Sequence, residues 1–598
     1  MCGIIAYKGK RTDAAELVLK GLKKLEYRGY DSWGVAARTG KDIFIRKKTG
    51  KIGELDLKKL NLPQSTLAMA HSRWATHGGV TQKNAHPHAS CKNRVVIIHN
   101  GIIENYLTLK KALLNKGHKF VSDTDTEVAA HLIEQNLKKY PAGKVTKEIL
   151  QKAVQKALAK LHGRYAFLVM CEDCDAIVAA RRGSPLIVGK GIDNEYFIAS
   201  DIPAFLEYTN QVMYLDDDEM VVLDGGHKFI NLKTGATVEK RIVEIHWQAQ
   251  EAEKGDFEHF MMKEIMEQKD TIHRAINQDE KLIRKITDAL RKAKSVYLIG
   301  CGTAGKVGIA GSYLFSKIAK KQTIAGFGSE IANFKNFIDK DSVLVAISQS
   351  GETADTLEAM EMAKKAKAKL IAVVNVEGSS IERMADISIN IKAGPEKAVA
   401  STKATTAQMA ILTLLAYSLA GKLNEGRKVL AEAASQINDM LNPRYEQHIE
   451  TLARQIKNIE SMYVIGRGMN YPMALEAAIK LQEVSYIHAE GFAGGELKHG
   501  PIALISKGTP CIALVANDEN RDDVLSNAIE IKARGGFIIG VSPKREEVFD
   551  YWIKVPDAGN ASPIVNIIPV QLLAYQLAVL RKNNPDMPRN LAKSVTVK

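Results

Sequence analysis

SVYLIGCG (295–302) returns 166 residues later as SMYVIGRG (461–468). Each copy is an apolar run that ends in Gly-x-Gly and leads into a helical segment. The first copy is followed by SVLVAIS (342–348), LIAVVN (370–375) and ISINI (387–391). In the second copy PCIALVAN (510–517) stands where VLVAISQS stood, and GGFIIGVS (535–542) echoes LIAVVN. Fully apolar strands alternating with helices predict a parallel sheet covered on both faces. A repeat this long is a duplicated α/β unit rather than a short-period solenoid. In such folds ligands sit in the loops after the strands, so the chemistry is expected there.

Two of those loops carry hydroxyls. Gly300-Cys-Gly-Thr303 and Ser348-Gln349-Ser350-Gly351-Glu352-Thr353 each open a predicted helix. Hydroxyls and backbone N–H groups at a helix start make an anion site. One hydroxyl would suffice for a helix cap, so three around one turn favour a phosphate. The loop is not a P-loop, because GxxxxGK[ST] is absent. Farther on, AIKLQEVSYIHAEGFAGGELKHGP (478–501) holds Lys480 and Glu483, three apart on one helix face, and ends in a Gly-rich run before His499. Lys480 and Glu483 suit an ion pair on a solvated face, and the Gly-rich run suggests a loop that approaches a ligand closely. The chain closes with RNLAKSVTVK, where Lys593 stands among small residues.

The first 240 residues read differently. Short β-like runs (67–70, 94–99, 166–171, 176–180, 186–188, 196–199) bounded by Gly, Asp and Asn predict antiparallel sheets. The chain opens MCGIIAY, so removal of Met1 gives Cys2 a thiol and a free α-amine. That amine, with a pKa of about 8, can take the thiol proton, a known arrangement in covalent catalysis. Cys2 suits equally a buried place in a first strand. HSRWATHGG (71–79) offers Arg73, a planar fork matched to a carboxylate. VVIIHNGIIEN (95–105) ends an apolar strand at Asn100-Gly101, which suits an oxyanion-binding pair or a hairpin turn. SDTDTE (122–127) places Asp123 and Asp125 before a helix, as caps or as partners for a substrate ammonium.

At 598 residues the chain exceeds one core, and two to four domains are expected. Lys and Arg (83) exceed Asp and Glu (68), giving a net charge of +15, but the basic residues are scattered pairs. A solvated surface is therefore expected, with no nucleic-acid partner. The apolar stretches near 405–420 and 563–580 contain Thr, Gln, Asn and Pro and predict buried helices rather than membrane spans. No charged-then-apolar leader opens the sequence, so a cytoplasmic protein is expected. Six cysteines in a chain this long are no disulfide framework. Cys171-Glu-Asp-Cys174 lacks a second pair, so no zinc site and no cofactor are expected.

Several of these motifs carry a resemblance. Cys2-Gly-Ile, YRGYDS (27–32), HSRWATHG (71–78), NAHPH (84–88), HNGIIEN (99–105) and SDTDTE resemble the glutaminase domain of the N-terminal-nucleophile amidotransferases. GCGTA, SQSGETADT, VASTKA (399–404), the 478–501 stretch and LAKSVTV resemble the tandem sugar-isomerase (SIS) half of the glucosamine-6-phosphate synthase family. The fold this implies is an α+β four-layer αββα sandwich followed by two α/β SIS domains with parallel sheets. The expected boundaries are 2–240 for the glutaminase domain, 241–284 for connecting helices, 285–425 and 455–590 for the SIS domains, and 591–598 for a tail entering the sugar site.

The resemblance implies glutamine-dependent conversion of fructose 6-phosphate to glucosamine 6-phosphate, the first step of UDP-N-acetylglucosamine biosynthesis. Cys2 would attack the glutamine amide, with Asn100 and Gly101 holding the oxyanion. Arg73 would bind the α-carboxylate and Asp125 the α-amine, with Trp74 at the mouth of an internal ammonia path and His77 near glutamine. His86 would only shape the site. Ser348, Gln349, Ser350 and Thr353 would hold the sugar phosphate, and Thr303, Val399 and Ser401 would line the sugar. Lys593 would form an imine with the ketose, Glu483 would move the proton between C1 and C2, and Lys480 would assist. His499 would act in ring opening from a neighbouring subunit, which implies a homodimer or higher homo-oligomer. Ala304 stands where the family commonly has Ser, so one phosphate-facing hydroxyl is missing. The first half has no room for the long insertion of animal members, so a bacterial or archaeal type is expected. The competing readings are an SIS-type deglycase or deaminase, which would lack a glutaminase half, and a non-catalytic sugar-phosphate sensor.

Overall fold

Residues 2–53, 55–75, 78–245 and 254–596 are described by the computed structural model, with the backbone alone at Lys58. They fall into two compact units, one made of 1–251 with 592–598 and the other of 252–591.

The first unit holds two antiparallel sheets of eight and seven strands. Period-two alternation decides which side chain meets which layer. In the first strand, Gly3–Lys8, Ile4 and Ala6 point into the core between the sheets, while Ile5 and Tyr7 pack outward with Leu17, Val18 and Leu22 of the helix Ala14–Lys24. In the strand Val95–Ile103, Val96 and Ile98 face that same inner core, and Val95 and Ile97 pack against the helices Glu127–Leu137 and Lys147–Leu158. The result is helix, sheet, sheet, helix: the expected four layers. Gly3–Lys8 lies in mid-sheet between Tyr196–Ala199 and Leu67–Arg73, with Gly3 opposite Ser72. Cys2 therefore emerges from a central strand beside Arg73 and Trp74.

The second unit repeats one sheet twice. The first runs Ile324–Phe327, Ser295–Gly300, Ser342–Ser348, Lys369–Val374, Ile387–Asn390, and the second His488–Ala493, Ser461–Gly466, Pro510–Leu514, Phe537–Ser542, Tyr551–Lys554. Every pairing is parallel, and the corresponding strands hold the same places. The Gly-x-Gly endings have a backbone reason. Gly302 and Gly468 both turn at positive φ (55° and 52°), where side chains are disfavoured. A Cβ on Gly300 or Gly466 would sit 2.7 or 2.4 Å from backbone atoms of the segment that follows.

Both copies contribute to one large core with the helices Thr303–Ala319, Lys403–Leu419, Tyr471–Ser485 and Ser562–Leu580. The span 559–580 is long and apolar enough to cross a membrane, but 83% of its most apolar window lies buried inside this core. The helices Phe260–Met266 and Gln268–Ile276, expected as connectors, bury Met261, Ile265 and Ile272 in the same core and so belong to this unit.

Candidate active site

In the first unit the residues singled out by the sequence converge on Cys2. Its sulfur accepts the Trp74 backbone N–H at 3.2 Å and lies 3.6 Å from the Trp74 carbonyl. The Asn100 amide Nδ2 donates to the Cys2 carbonyl at 2.9 Å. Burial pushes the Cys2 thiol up, and the Trp74 N–H and the Arg73 charge pull it back. Asn100-Gly101 is not a turn, because the strand continues to Ile103. Gly101 has φ +132°, and a Cβ there would lie 2.0 Å from the Arg164 carbonyl oxygen on the paired strand.

Arg73 is almost fully buried, and its guanidinium donates to the carbonyls of Gly78 (3.0 Å) and Gly79 (3.2 Å). Burial lowers its pKa, while Cys2, Asp31 and Asp125 oppose the shift, so those charges lie within its field. Asp125 is buried and accepts the Ile103 N–H at 2.7 Å. Asp123 is exposed and accepts from Lys83 at 2.9 Å and from the Asn84 amide at 3.4 Å. Trp74 is half-buried. His77 lies outside the described residues.

Two features behind Cys2 go beyond the sequence reading. His71 Nε2 lies 3.0 Å from the His99 carbonyl oxygen and 3.1 Å from Asn100 Oδ1. Both partners accept, so Nε2 carries the proton and the Asn100 amide is turned with its NH2 toward Cys2. The His86 ring packs tilted against that of His71, with ring centroids 3.9 Å apart. Burial lowers both imidazoles, His71 to about 3, so both are neutral at pH 7. Asp31, from the YRGYDS segment, accepts the Ala75 N–H at 2.8 Å and fixes the turn after Arg73.

In the second unit the loop 348–353 closes on itself. Ser348 Oγ accepts the Gly351 N–H at 3.0 Å and lies 3.4 Å from Thr353 Oγ1, and Ser350 Oγ accepts the Glu352 N–H at 3.2 Å. Thr353 stands at the start of the helix Ala354–Lys365, so three hydroxyls ring a helix N-terminus. The Gln349 carbonyl accepts the Asn375 N–H at 3.3 Å, and its side chain is half-buried. Val399 is buried, with its N–H bonded to the Asp586 carbonyl. Ser401 Oγ donates to Glu396 at 3.2 Å.

Lys480 is not on a solvated face. It is fully buried, 2.5 Å from Glu483 Oε2 and 3.4 Å from Glu476 Oε1. Burial alone would lower its pKa, but Glu483 and Glu476 overcome this and raise it above the ordinary lysine value. In this unit Glu476 is a residue that sequence reasoning missed. It is fully buried, its pKa is raised by burial, and it accepts the Thr303 hydroxyl at 2.9 Å. This bond joins the first SIS copy to the second. The signal was present, since Glu476 lies one helical turn before Lys480. Lys306, buried one turn after Gly302, adds a second cation whose pKa burial lowers. Ala304 is half-buried in the same turn. His499 is exposed at the end of the short helix Gly494–His499. Lys593 is half-buried in the tail, which belongs to the first unit.

The model of the glutamine amidotransferase domain matches residues 71–207, and that of the SIS domain matches 289–418 and 455–581. The chain is 45% identical to the glutamine–fructose-6-phosphate aminotransferase [isomerizing] of Thermococcus kodakarensis, with all of both chains covered. The chain belongs to the glutamine–fructose-6-phosphate aminotransferase family. Proteins of that name from Pyrococcus horikoshii (44%) and Methanothermobacter thermautotrophicus (41%) also match over the full length of both chains. Among solved structures, the C-terminal domain of glucosamine-fructose-6-phosphate aminotransferase from Francisella tularensis is 34% identical, with TM-score 0.52, covering 56% of this chain and 99% of its own. The two units thus correspond to the two domain types that match: a glutamine amidotransferase domain with Cys2 at the start of a central strand, and a duplicated SIS fold with hydroxyls at a helix start.

Proposed function

We propose that this aminotransferase converts fructose 6-phosphate and glutamine to glucosamine 6-phosphate and glutamate, passing ammonia internally between its two sites. The observation that carries the glutaminase half is the meeting of Cys2, the Trp74 N–H and the His71-oriented Asn100 amide. With Met1 removed, the Cys2 α-amine takes the thiol proton and the thiolate attacks the side-chain amide of glutamine. The Asn100 amide and the Gly101 N–H stabilise the oxyanion. Collapse expels ammonia and leaves a thioester, which water hydrolyses to glutamate. Arg73 and Asp125 hold the α-carboxylate and α-amine, and Trp74 and His77 border the site.

In the isomerase half, Ser348, Gln349, Ser350 and Thr353 bind the sugar phosphate, and Thr303, Val399 and Ser401 line the sugar. Lys480 keeps its proton between two carboxylates and cannot serve as the imine-forming amine. Its charge instead holds Glu483 ready as the base that moves a proton between C1 and C2. The imine falls to Lys593, and His499 assists ring opening in the site of a neighbouring copy. The protein is read as a cytoplasmic homo-oligomer.

Incubation of the purified protein with both substrates, followed by mass spectrometry of the amino sugar, tests this reading. Glucosamine 6-phosphate is expected. Cys2→Ala should abolish glutamine-dependent synthesis while retaining part of the synthesis supported by high free ammonia. Equal activity of wild type and Cys2→Ala with glutamine would overturn it.

A further inference from the structure

Away from Cys2, a second cluster of donor atoms converges in the first unit. Cys91 lies in the turn before the strand Val95–Ile103, His118 follows the helix Tyr106–Leu114, and His131 and Glu134 share one face of the helix Glu127–Leu137. One atom from each, Cys91 Sγ, His118 Nδ1, His131 Nδ1 and Glu134 Oε2, points inward, and these atoms all lie within 4.8 Å of one another. The two Nδ1 atoms are 3.3 Å apart. The sulfur is 3.8 and 3.7 Å from them, and Glu134 Oε2 is 3.0 and 3.5 Å away. Tetrahedral zinc, with bonds of about 2.0–2.1 Å to nitrogen and about 2.3 Å to sulfur, sets its ligands about 3.3–3.6 Å apart.

The outer nitrogens set the tautomers. His118 Nε2 lies 2.8 Å from Gln135 Oε1, and His131 Nε2 lies 3.4 Å from Glu127 Oε1. Glu127 also accepts the N–H groups of Val121 and Ser122, so it is an acceptor carboxylate. Both Nε2 atoms therefore carry protons, so in the neutral rings both Nδ1 atoms turn lone pairs toward the centre, as metal-bound histidines do. Two lone pairs, a carboxylate oxygen and a sulfur at these separations repel unless a proton or a metal ion lies among them, and the separations match those that tetrahedral zinc sets. We propose that Cys91, His118, His131 and Glu134 bind one zinc ion. Thiolate and carboxylate balance its charge, and four protein ligands close its coordination sphere, so the site is structural. Cys91 is the exposed member and gives the metal its way in.

The site has a consequence for glutamine binding that rests on the proposed glutaminase reading. The segment between His118 and His131 carries Asp125, and also Thr126, whose hydroxyl lies 3.1 Å from His86 Nε2 and 2.9 Å from His99 Nδ1. Zinc would pin both ends of that segment, and the first end of the strand that bears Asn100.

The metal content of tag-free full-length protein, grown with zinc and dialysed, tests the site independently of any activity. About one zinc per chain is expected by inductively coupled plasma mass spectrometry, falling at least tenfold in Cys91→Ala and His131→Ala. Cobalt(II) exchanged into the wild type should show a near-ultraviolet thiolate charge-transfer band and intense visible bands of a four-coordinate ion, both absent from Cys91→Ala. Should His131→Ala fail to fold, Cys91→Ala alters an exposed residue and still decides the matter. Wild-type protein that takes up neither metal, its cluster held instead by an imidazolium between Glu127 and Glu134, would overturn the site. So would zinc undiminished in the variants. Chelation should raise the KM for glutamine and leave ammonia-dependent synthesis unchanged.

Discussion

His71 shows how much one proton can decide. Its Nε2–H holds the Asn100 carbonyl oxygen, and together with the Cys2 carbonyl that accepts from Nδ2 this turns the amide NH2 toward Cys2. In His71→Leu the amide loses that restraint. Removal of an oxyanion donor costs about 100–1,000-fold in kcat, so with Asn100 in its proposed oxyanion role this variant should lose about 10–100-fold in glutaminase kcat, with little change in KM. Steady-state glutamate release reads this directly. The same imidazoles set an acid limit. His71 and His86 are neutral when folded, with pKa values depressed by burial, His71 to about 3. An unfolded histidine takes up its proton near pH 6.5. Their contribution is therefore intact above pH 6.5 and is lost as pH falls from there toward the folded values. Each can remove about 1.4 kcal/mol per pH unit across that window. Denaturation of the first unit, followed by near-ultraviolet circular dichroism, should show stability declining from about pH 6.5.

Elements place these groups where single residues could not. The strand 95–103 presents Asn100 and Gly101 in mid-strand, and the close approach of the Arg164 carbonyl excludes any side chain at Gly101. Asn-Gly is the commonest hairpin signal, so the dipeptide misleads when read locally; pairing with the strand Gly163–Cys171 overrides it. The loop 348–353 depends on Gly351 at φ +66°, where a Cβ would lie 2.0 Å from Ser379 Oγ. In Gly351→Ala the strain of about 1–2 kcal/mol and the clash should displace Ser348, Ser350 and Thr353 together. The KM for fructose 6-phosphate should rise about tenfold, equivalent to about 1.4 kcal/mol, with the glutaminase rate unchanged. The helix Tyr471–Ser485 carries Glu476, Lys480 and Glu483 on one face. That spacing was readable as a shared face. Its burial was not, because helical periodicity says which residues lie together and not what covers them.

At the scale of the whole molecule, duplication brings side chains of both copies into one cluster around Lys480. The bond from Thr303 to Glu476 spans the two copies, so neither copy alone holds the complete set. His499 is exposed, and the proposed reading has it act in the site of a neighbouring subunit. Chains bearing His499→Ala and Glu483→Gln are each expected to be inactive. Coexpressed, they should regain activity in mixed dimers, which carry one intact site each, or about a quarter of all sites. Assay of the mixture against each variant alone checks this, and no recovery would place His499 in its own subunit's site.

The sequence by itself determined the two fold classes, the duplication, the cysteine ahead of the first strand and the hydroxyl-rich loop. Each is written in contiguous residues: apolar runs of strand length, a Gly-x-Gly that recurs, three hydroxyls in six positions. Only the tertiary structure decided what lies between distant segments. Glu476 gains its meaning from Thr303, 173 residues earlier, and His71 from Asn100. The four inward atoms of Cys91, His118, His131 and Glu134 come from three elements with spacings of 27, 13 and 3 residues, which match no short metal motif, whereas the conspicuous Cys171 and Cys174 lie buried in adjacent strands. Local pattern reports backbone period and turn chemistry. Convergence of side chains depends on sheet order and layer packing, and these exist only in the folded chain.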